Sequence, residues 1–545
     1  MSLFSLFNIS KSALFASQTA LYITNHNIAN VNTPGFSRQE AILEIASPVA
    51  MRGGFLGRGV IVSGIKRYYD KFIQTQLLGQ YQNFGRSLSI NHTLSQIEQV
   101  FNEAGNMGLS APLLDFFNAW NEVAGNPEGV VERNVLLQKA QSLVLTAKQM
   151  DRSITAVMKN TNEAIGEMVD RINSLASGIA KLNSEIVQIE AGGLSESAND
   201  LRDQRDVLLS ELSNRIDFSS YEDKNGAVNI IVGMRNLVYG EKTNTLSTRL
   251  NEDGYSDLSL DGINITDNIK KGEIGGLLAV RDDVKISSLD GLRRLIASLI
   301  KEINSMHRQG YGLDGSTGND FFNPPLLQLS TRDFSAGAAM TATITDSSQL
   351  TLDEYSIQFD AANKYSIYNK QTGALVTSGA YVSGIPIILD VTFDGIKISI
   401  TGTVTSTDKF TVSPLTDVIR NFGVAITNQQ QIAAASSSSG LPGDNAKALE
   451  IAQLSENAIT SLRGATFTSF YAGLVSSIGT MSRAASDSLS FDDNLLSEIK
   501  NRRESISGVS LEEEAANLIK FQRSFEAGAR MIKVTDELLQ TILNL

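Results

Sequence analysis

Sixteen positions from Leu137 to Ile189 follow one another at intervals of three and four residues: Leu137, Ala140, Val144, Ala147, Asp151, Ile154, Met158, Thr161, Ile165, Met168, Ile172, Leu175, Ile179, Leu182, Ile186 and Ile189. Only Asp151 and Thr161 are not apolar. One uninterrupted helix facing partner helices satisfies such spacing. It would be about 80 Å long at 1.5 Å per residue, a coiled-coil rod and not the helix of a globular enzyme. Ala191-Gly192-Gly193 breaks the pattern. A second helix, from about Ala198 to Ile216, is expected to turn back along the first.

The two ends of the chain carry a stricter repeat. Phe7, Leu14, Leu21 and Ile28 recur every seven residues, flanked by Ala13, Ala16 and Ala20. The rest of this helix is Ser, Thr, Asn and Gln, which suits a protein-lined environment; a core helix of an ordinary domain is the plainer reading. The helix should end at Thr33-Pro34-Gly35-Phe36, a type II turn with Pro fixing φ at the second position and Gly accepting positive φ at the third. Asn27, Asn30 and Asn32 lead into it. At the other end Leu511, Leu518, Phe525, Ile532 and Leu539 repeat at the same interval. Ala515, Ala529 and Leu543 are read as the second stripe, and Ser510 with Glu513 as a capping box. Matching heptads at the two extremes are expected to pair with each other. Phe470, Leu474, Ile478, Met481 and Ala485 form a further stripe ahead of them.

Between these helical parts lie two blocks of alternating apolar residues and turn signals. The first, 217–276, contains Asn225-Gly226 and Asp253-Gly254. The second, 336–415, contains Tyr355, Ile357 and Phe359, then Asp394-Gly395 ahead of Ile396, Ile398 and Ile400. A helix from about Gly276 to His307 separates them, and Ser436 to Gly440 reads as a flexible connector. The fold class is therefore α+β and multidomain: an antiparallel helical coiled-coil rod built from both chain ends, with β-rich outer domains inserted. The domains are read as 1–36 with 509–545 (terminal coiled coil), 37–216 with 277–335 and 416–508 (helical rod), 217–276 and 336–415 (β-rich insertions).

Composition narrows the function. The 545 residues carry a net charge of −13, which argues against a nucleic-acid partner. Residues 1–86 are net +5 and 500–545 net 0, so the acidity lies in the middle. No run approaches 18 apolar residues, so no membrane-spanning helix is expected, and the first residues lack the form of a secretory signal peptide. Cysteine is absent, which excludes disulfides, thiolate catalysis and cysteine zinc sites. His26, His92 and His307 are scattered. The run from Gly54 to Gly59 does not follow a strand-to-helix pattern and reads as turns. Asp314 to Asp320 lacks the spacing of a calcium loop. Asp200, Asp203 and Asp206, interleaved with Arg202 and Arg205, read as a salt-bridged helix start. Nothing assembles a nucleophile, a base and an orienter, so no enzyme, cofactor or metal is expected.

The sequence NIANVNTPGF at 27–36 resembles the bacterial flagellar axial proteins of rod, hook and junction, and SISGVSLEEEAANLIKFQRSFEAGARMI at 505–532 resembles their C-terminal motif. The middle resembles one branch, the hook-associated proteins of the hook–filament junction. It does so through the long helix, NDLRDQRDVLLSEL at 199–212, GEIGGLLAVRDD at 272–283 and HRQGYGLDGSTGNDFF at 307–322. The likeness is weakest over 336–415. It implies a structural protein forming a ring-like homo-oligomer between the hook protein and a second hook-associated junction protein, and needed for filament assembly. It implies extracellular placement in the flagellum after type III export without a cleaved signal. The heptad stripes Phe7, Leu14, Leu21, Ile28, Leu511, Leu518, Phe525, Ile532 and Leu539 can bury their apolar face fully only against neighbours and are expected to form the subunit interface; the resemblance also implies a cytoplasmic export chaperone on the C-terminal end, expected on the face of Leu518, Phe525, Ile532 and Leu539. A hook or rod protein, and a junction protein with an enzymatic outer domain, are the alternatives.

Overall fold

The long three-and-four repeat folds as one helix, and the rest of the chain is arranged along it. The computed structural model describes residues 3–51, 54–103, 108–191, 198–251, 254–333, 338–347, 349–382, 387–406 and 408–543. Helix α1 (Leu3–Ala29) leads into an antiparallel ribbon of β1 (Gln39–Ile45) and β4 (Val60–Arg67), prolonged by β2 (Val49–Met51) and β3 (Gly54–Leu56). Helices α2 (Lys71–Val100), α3 (Ser110–Gly125), α4 (Val130–Glu190) and α5 (Asn199–Arg215) follow. Then come β5 (Ser219–Glu222), β6 (Val228–Val232), β7 (Arg235–Tyr239), β8 (Lys242–Thr243), β9 (Leu246–Leu250), β10 (Ser256–Leu260) and β11 (Ile263–Asn264). They form a four-stranded and a three-stranded antiparallel sheet.

Helices α6 (Gly272–Val284) and α7 (Asp290–His307) are joined by a π turn at Lys285–Leu289. The helix expected from Gly276 thus begins four residues earlier and is interrupted. The second β block holds β12 (Gln328–Asp333), β13 (Ala338–Ile344), β14 (Tyr355–Phe359), β15 (Lys364–Asn369), β16 (Leu375–Ala380), β17 (Ile387–Phe393), β18 (Ile396–Gly402) and β19 (Lys409–Ser413). Its five-stranded sheet (β12-β19-β14-β15-β16) and three-stranded sheet (β13-β18-β17) face each other, with the Tyr355 and Phe393 rings 4.8 Å apart between them. The β17–β18 hairpin turns at Asp394-Gly395, both at positive φ, as a two-residue hairpin requires. Helices α8 (Val418–Asn421), α9 (Ala446–Gln453), α10 (Phe467–Ser507) and α11 (Leu511–Leu543) complete the chain.

Helix α4 has 61 residues, about 90 Å. Of the sixteen seam positions, Ile189 is exposed and Leu137, Asp151, Met168 and Leu182 are half-buried; the others are buried. A second row, Leu136, Leu143, Met150, Val169, Ala176 and Ala180, is buried as well. The buried face is therefore broader than a two-helix seam. Its first half lies in one hydrophobic core with α3, α7, α9 and the second β block. Its second half lies in another with α5, α6 and the first β block. Asn183 sits in the buried face because its amide donates to the carbonyls of Val228 and Gly240 at 2.8 Å. Helix α5 returns antiparallel along α4, as expected.

Helices α2 and α10, from opposite ends of the sequence, also run antiparallel. Gln80 and Ser87 bond Asp492, and Glu98 bonds Ser482. The rod is thus built from both chain ends. Gly192 and Gly193 lie outside the described residues, as does Asp253. The connector at Ser436–Gly440 is not loose: Ser436 donates its N–H and its hydroxyl to Asp444 at 2.7 Å.

Candidate assembly site at the paired chain ends

Helices α1 and α11 pack against each other in antiparallel fashion. At their centre a Cβ placed on Gly528 would lie 3.6 Å from the Cα and the amide nitrogen of Leu14, so the two backbones come into contact range. The fully buried positions on α1 are small or polar, with Ile23 among them: Ser10, Ala16, Ser17, Ala20, Thr24 and Asn27. Those on α11 are Glu514, Gly528 and Thr535. Ser10, Ser17 and Thr535 give their hydroxyls to carbonyls one turn back in their own helices, so close packing leaves no donor stranded.

The heptad residues lie on the flanks of this contact. Phe7, Leu14, Leu21 and Ile28 are half-buried, as are Leu518, Phe525, Ile532 and Leu539. Leu511 is 53% exposed and takes no part in the seam. The second stripe of α11 is Glu514, Phe521, Gly528 and Thr535, one residue earlier than expected; Ala515 and Ala529 are exposed. The Leu543 side chain lies outside the described residues. Both spacings, three and four, are legal after a heptad residue, and the close approach at Gly528 selects three. On the outer side of α1, Phe4, Phe15 and Tyr22 are exposed on one row, and Ile519, Met531, Val534 and Leu538 are exposed on α11. On α1 these rings alternate along the row with exposed Asn8, Lys11 and Gln18, and Lys11 lies over the Phe15 ring.

The turn after α1 ties this pair to the rod. Phe36 N–H donates to Thr33 carbonyl at 3.2 Å and Gly35 has φ +82°, which makes the expected type II turn. Asn27, fully buried, exchanges two hydrogen bonds with the backbone of Gln39, at 2.9 and 3.0 Å. Asn30 accepts the Thr33 hydroxyl and donates to His26 carbonyl. Asn32, Thr33 and Pro34 are exposed. Phe36 is buried with its ring edge-on to His26 at 5.4 Å. A Cβ on Gly35 would fall 2.2 Å from Val207 Cγ2 on α5, so glycine answers both a positive φ and a close approach.

Charged groups from distant parts of the chain converge here. Arg503 on α10 donates to the carbonyls of Gly35 and Phe36 at 2.9 and 3.0 Å. Arg38 pairs with Glu513 at 2.6 Å and with buried Glu514 at 3.0 Å. Glu513 is thus drawn to Arg38, and of the expected capping box only a 3.5 Å bond from its N–H to Ser510 is present. Arg67 bridges Asp203 and Asp206 at 2.7 and 2.9 Å. Burial raises the pKa of both aspartates, with Arg67 pulling the other way. Burial also opposes the Arg67 charge, but Asp206 and Asp203 outweigh it and the net shift is upward. Arg202 and Arg205 point elsewhere, to Glu190 and Glu222. The expected salt-bridged helix start is real, but its partners are remote in sequence. Arg38, Arg67 and Arg503 were not legible beforehand. Only Gly528, a lone glycine in a helical pattern, carried a signal of close approach.

This constellation binds helices and turns to one another. Elsewhere, Asp314 accepts from Ser316 and Asp320 pairs with Arg308. Among the described residues no group of three or more His, Cys, Asp or Glu could hold a metal, and no helix is long and apolar enough to cross a membrane.

Comparison with known proteins accounts for the arrangement. Residues 94–322 match the flagellar hook-associated protein FlgK helical domain, and 329–414 match the flagellar hook-associated protein 1, D2-like domain. The chain is 31% identical to flagellar hook-associated protein 1 of Escherichia coli (strain K12), over 99% of this chain and 100% of the relative. The chain belongs to the flagellar hook-associated protein 1 family. The Bacillus subtilis (strain 168) member is 26% identical over 98% of this chain and 96% of its own. The two chain ends match wider flagellar families: the flagella basal body rod protein at 7–36 and the flagellar basal body rod FlgEFG protein C-terminal at 502–545. The fold is that of the flagellar hook junction protein FlgK from Burkholderia pseudomallei, with TM-score 0.66 and 20% identity over 79% of this chain and all of that one. The protein is a structural component of the flagellum that associates with other flagellar components.

Proposed function

We propose that the protein is the non-enzymatic adaptor between hook and filament. Several copies form a ring, with hook protein on one side and the second hook-associated junction protein on the other. The observation that carries this reading is the half-burial of the α1–α11 heptads. Phe7, Leu14, Leu21, Ile28, Leu518, Phe525, Ile532 and Leu539 each keep part of their apolar surface outside the pair. Fully burying a Leu or Phe is worth roughly 1.5–3 kcal/mol, so packing against neighbouring copies completes what one chain leaves unfinished. Before export the same face of α11, Leu518 to Leu539, is the binding site of a cytoplasmic chaperone. Export proceeds without a cleaved signal to an extracellular position in the flagellum.

The test is a pair of variants in motile cells. Leu518→Asp places a carboxylate on the half-buried flank that neighbouring copies are to cover, at a cost of several kcal/mol in every assembled copy. Replacing 336–415 by a Gly/Ser linker leaves the α1–α11 pair untouched, while uncovering the side of α7 that holds Ser347, Leu350 and Asp353. Cells with Leu518→Asp should shed filament subunits into the medium, and cells with the replacement should build filaments. Normal filaments above a junction containing the Leu518→Asp protein would refute the reading. A chain ending at Gly508 that still bound the chaperone with full affinity would refute the α11 binding site.

A further inference from the structure

The ribbon of β1 to β4 is covered by α1 on one side only. Ile42, Leu43, Val49 and Ile61 are exposed, and Ile45 and Phe55 are 86% and 79% exposed. A two-stranded ribbon is marginal on its own in water, and this one carries apolar residues on both faces. From Ile45 to Ile65 the sequence has no acidic residue, and exposed Arg58 follows the exposed Phe55 by three residues.

A groove of about 630 Å³ lies at the foot of the same ribbon, between α2, α5 and α10. Its floor is apolar, with Ile73, Leu77, Phe84 and Leu496, and Asp493 and Val207 stand on its walls. The cations that line it are engaged: Lys500 lies over the Tyr81 ring at 5.1 Å, and Arg503 holds the Gly35 and Phe36 carbonyls. The volume accommodates an aromatic and an aliphatic side chain.

The ribbon cannot fill its own groove. Its foot, at Ser37 and Tyr69, borders the groove. Its far end runs along α1 toward the start of that helix, where Val60 N–H reaches Ser12 and Gly59 closes on Ile9. Ser12 is roughly 27 Å of helix from Asn30 beside the turn, and Gly54 is roughly 40 Å of strand from Arg67. An occupant with the ribbon's chemistry must come from another molecule.

We propose that the ribbon of one copy seats Phe55, with Ala50 opposite it on the same face, in the groove of a second copy, with Arg58 against Asp493. Donor and acceptor are different surfaces, so the contact is head-to-tail. Repeated, it generates a ring or a helical array and not a closed pair. The inference rests on the reading of the protein as a homo-oligomer and names the surfaces that would join its copies.

The chain lacks cysteine, so introduced thiols report without background. Both chosen sites are surface positions and leave Phe55 in place: Gly57→Cys on the ribbon, where an added side chain meets open space, and Val207→Cys on the groove wall. Flagella assembled from the double variant and mildly oxidised should yield a ladder of cross-linked oligomers. A mixture of the two single variants should yield dimers, each containing one chain of each kind, and neither single variant alone should cross-link. Intact filaments with no ladder would overturn the docking while leaving the junction reading standing. Dimers from Gly57→Cys alone would overturn it in favour of a symmetric contact. A ladder from protein located elsewhere on the flagellum would support the docking and overturn the junction reading.

Discussion

Gly35→Ala probes the knot that fastens α1 to the rod. Two costs fall on one methyl group. At φ +82° a residue with a Cβ is disfavoured by roughly 1 kcal/mol or more. The new Cβ also falls 2.2 Å from Val207 Cγ2 and 3.8 Å from Val207 Cβ. Valine is stiff about χ1, so relief requires an off-rotamer side chain or a shift of α5, at roughly 0.5–1.5 kcal/mol. The sum is about 2 kcal/mol. It falls on a turn whose opening releases the Arg503 bonds and the Asn27–Gln39 pair, so the readout is local. Native-state amide exchange over residues 27–39 should accelerate roughly 30-fold, at about 1.4 kcal/mol per factor of ten. Val207→Ala removes the obstructing methyl, so in that background the penalty should drop to the backbone part, about 1 kcal/mol. An equal penalty in both backgrounds would show that no contact with Val207 exists and would refute the packing of the turn on α5.

His307 supplies a pH dependence. Burial lowers its pKa to about 4, from an ordinary 6.5. Nδ1 donates to Asn319 carbonyl at 2.7 Å and Nε2 accepts from Ala433 N–H at 2.9 Å, which fixes the neutral ring. The unfolded chain binds the proton first, so stability from this group is intact above pH 6.5 and is lost as pH falls toward 4. The loss approaches about 3 kcal/mol; urea midpoints across that range should fall, and His307→Gln should flatten the trend. At Gly528, alanine meets only ordinary contact with Leu14 and gains helix propensity, so Gly528→Ala should slow exchange of the surrounding α11 amides by up to about 1 kcal/mol. Gly528→Leu should instead separate the helices at a cost of roughly 1–3 kcal/mol, read as faster exchange in both α1 and α11.

What could be read in advance follows the range of the interactions. The helix through Leu137 to Ile189, the type II turn at Pro34-Gly35 and the hairpin at Asp394-Gly395 depend on neighbours within a few residues, and each formed where the pattern placed it. The choice of second stripe in α11 did not, because Ala515 and Glu514 are equally legal by spacing. Only the α1 backbone beside Gly528 decides between them. The arginine contacts were invisible for the same reason: Arg503 reaches the turn across 468 residues of sequence. The aspartates of α5 suggested local pairing, whereas Arg67 reaches Asp203 across 136 residues. The π turn at Lys285–Leu289 inserts into a continuous apolar pattern, which has no symbol for an extra residue in one turn.

The pairing of α1 with α11 also sets an order of events. The first helix of the sequence has its partner in the last, so the pair cannot close until the final residues of the chain have emerged, whether from a ribosome or from a narrow conduit. Closing so long a loop costs little more free energy than closing a shorter one, but it waits for everything between. The helices of the rod and the two hydrophobic cores need only sequence that appears earlier or alongside, and they can be complete first. The α1–α11 pair is therefore finished last, and a chain truncated anywhere short of α11 carries an unpaired α1.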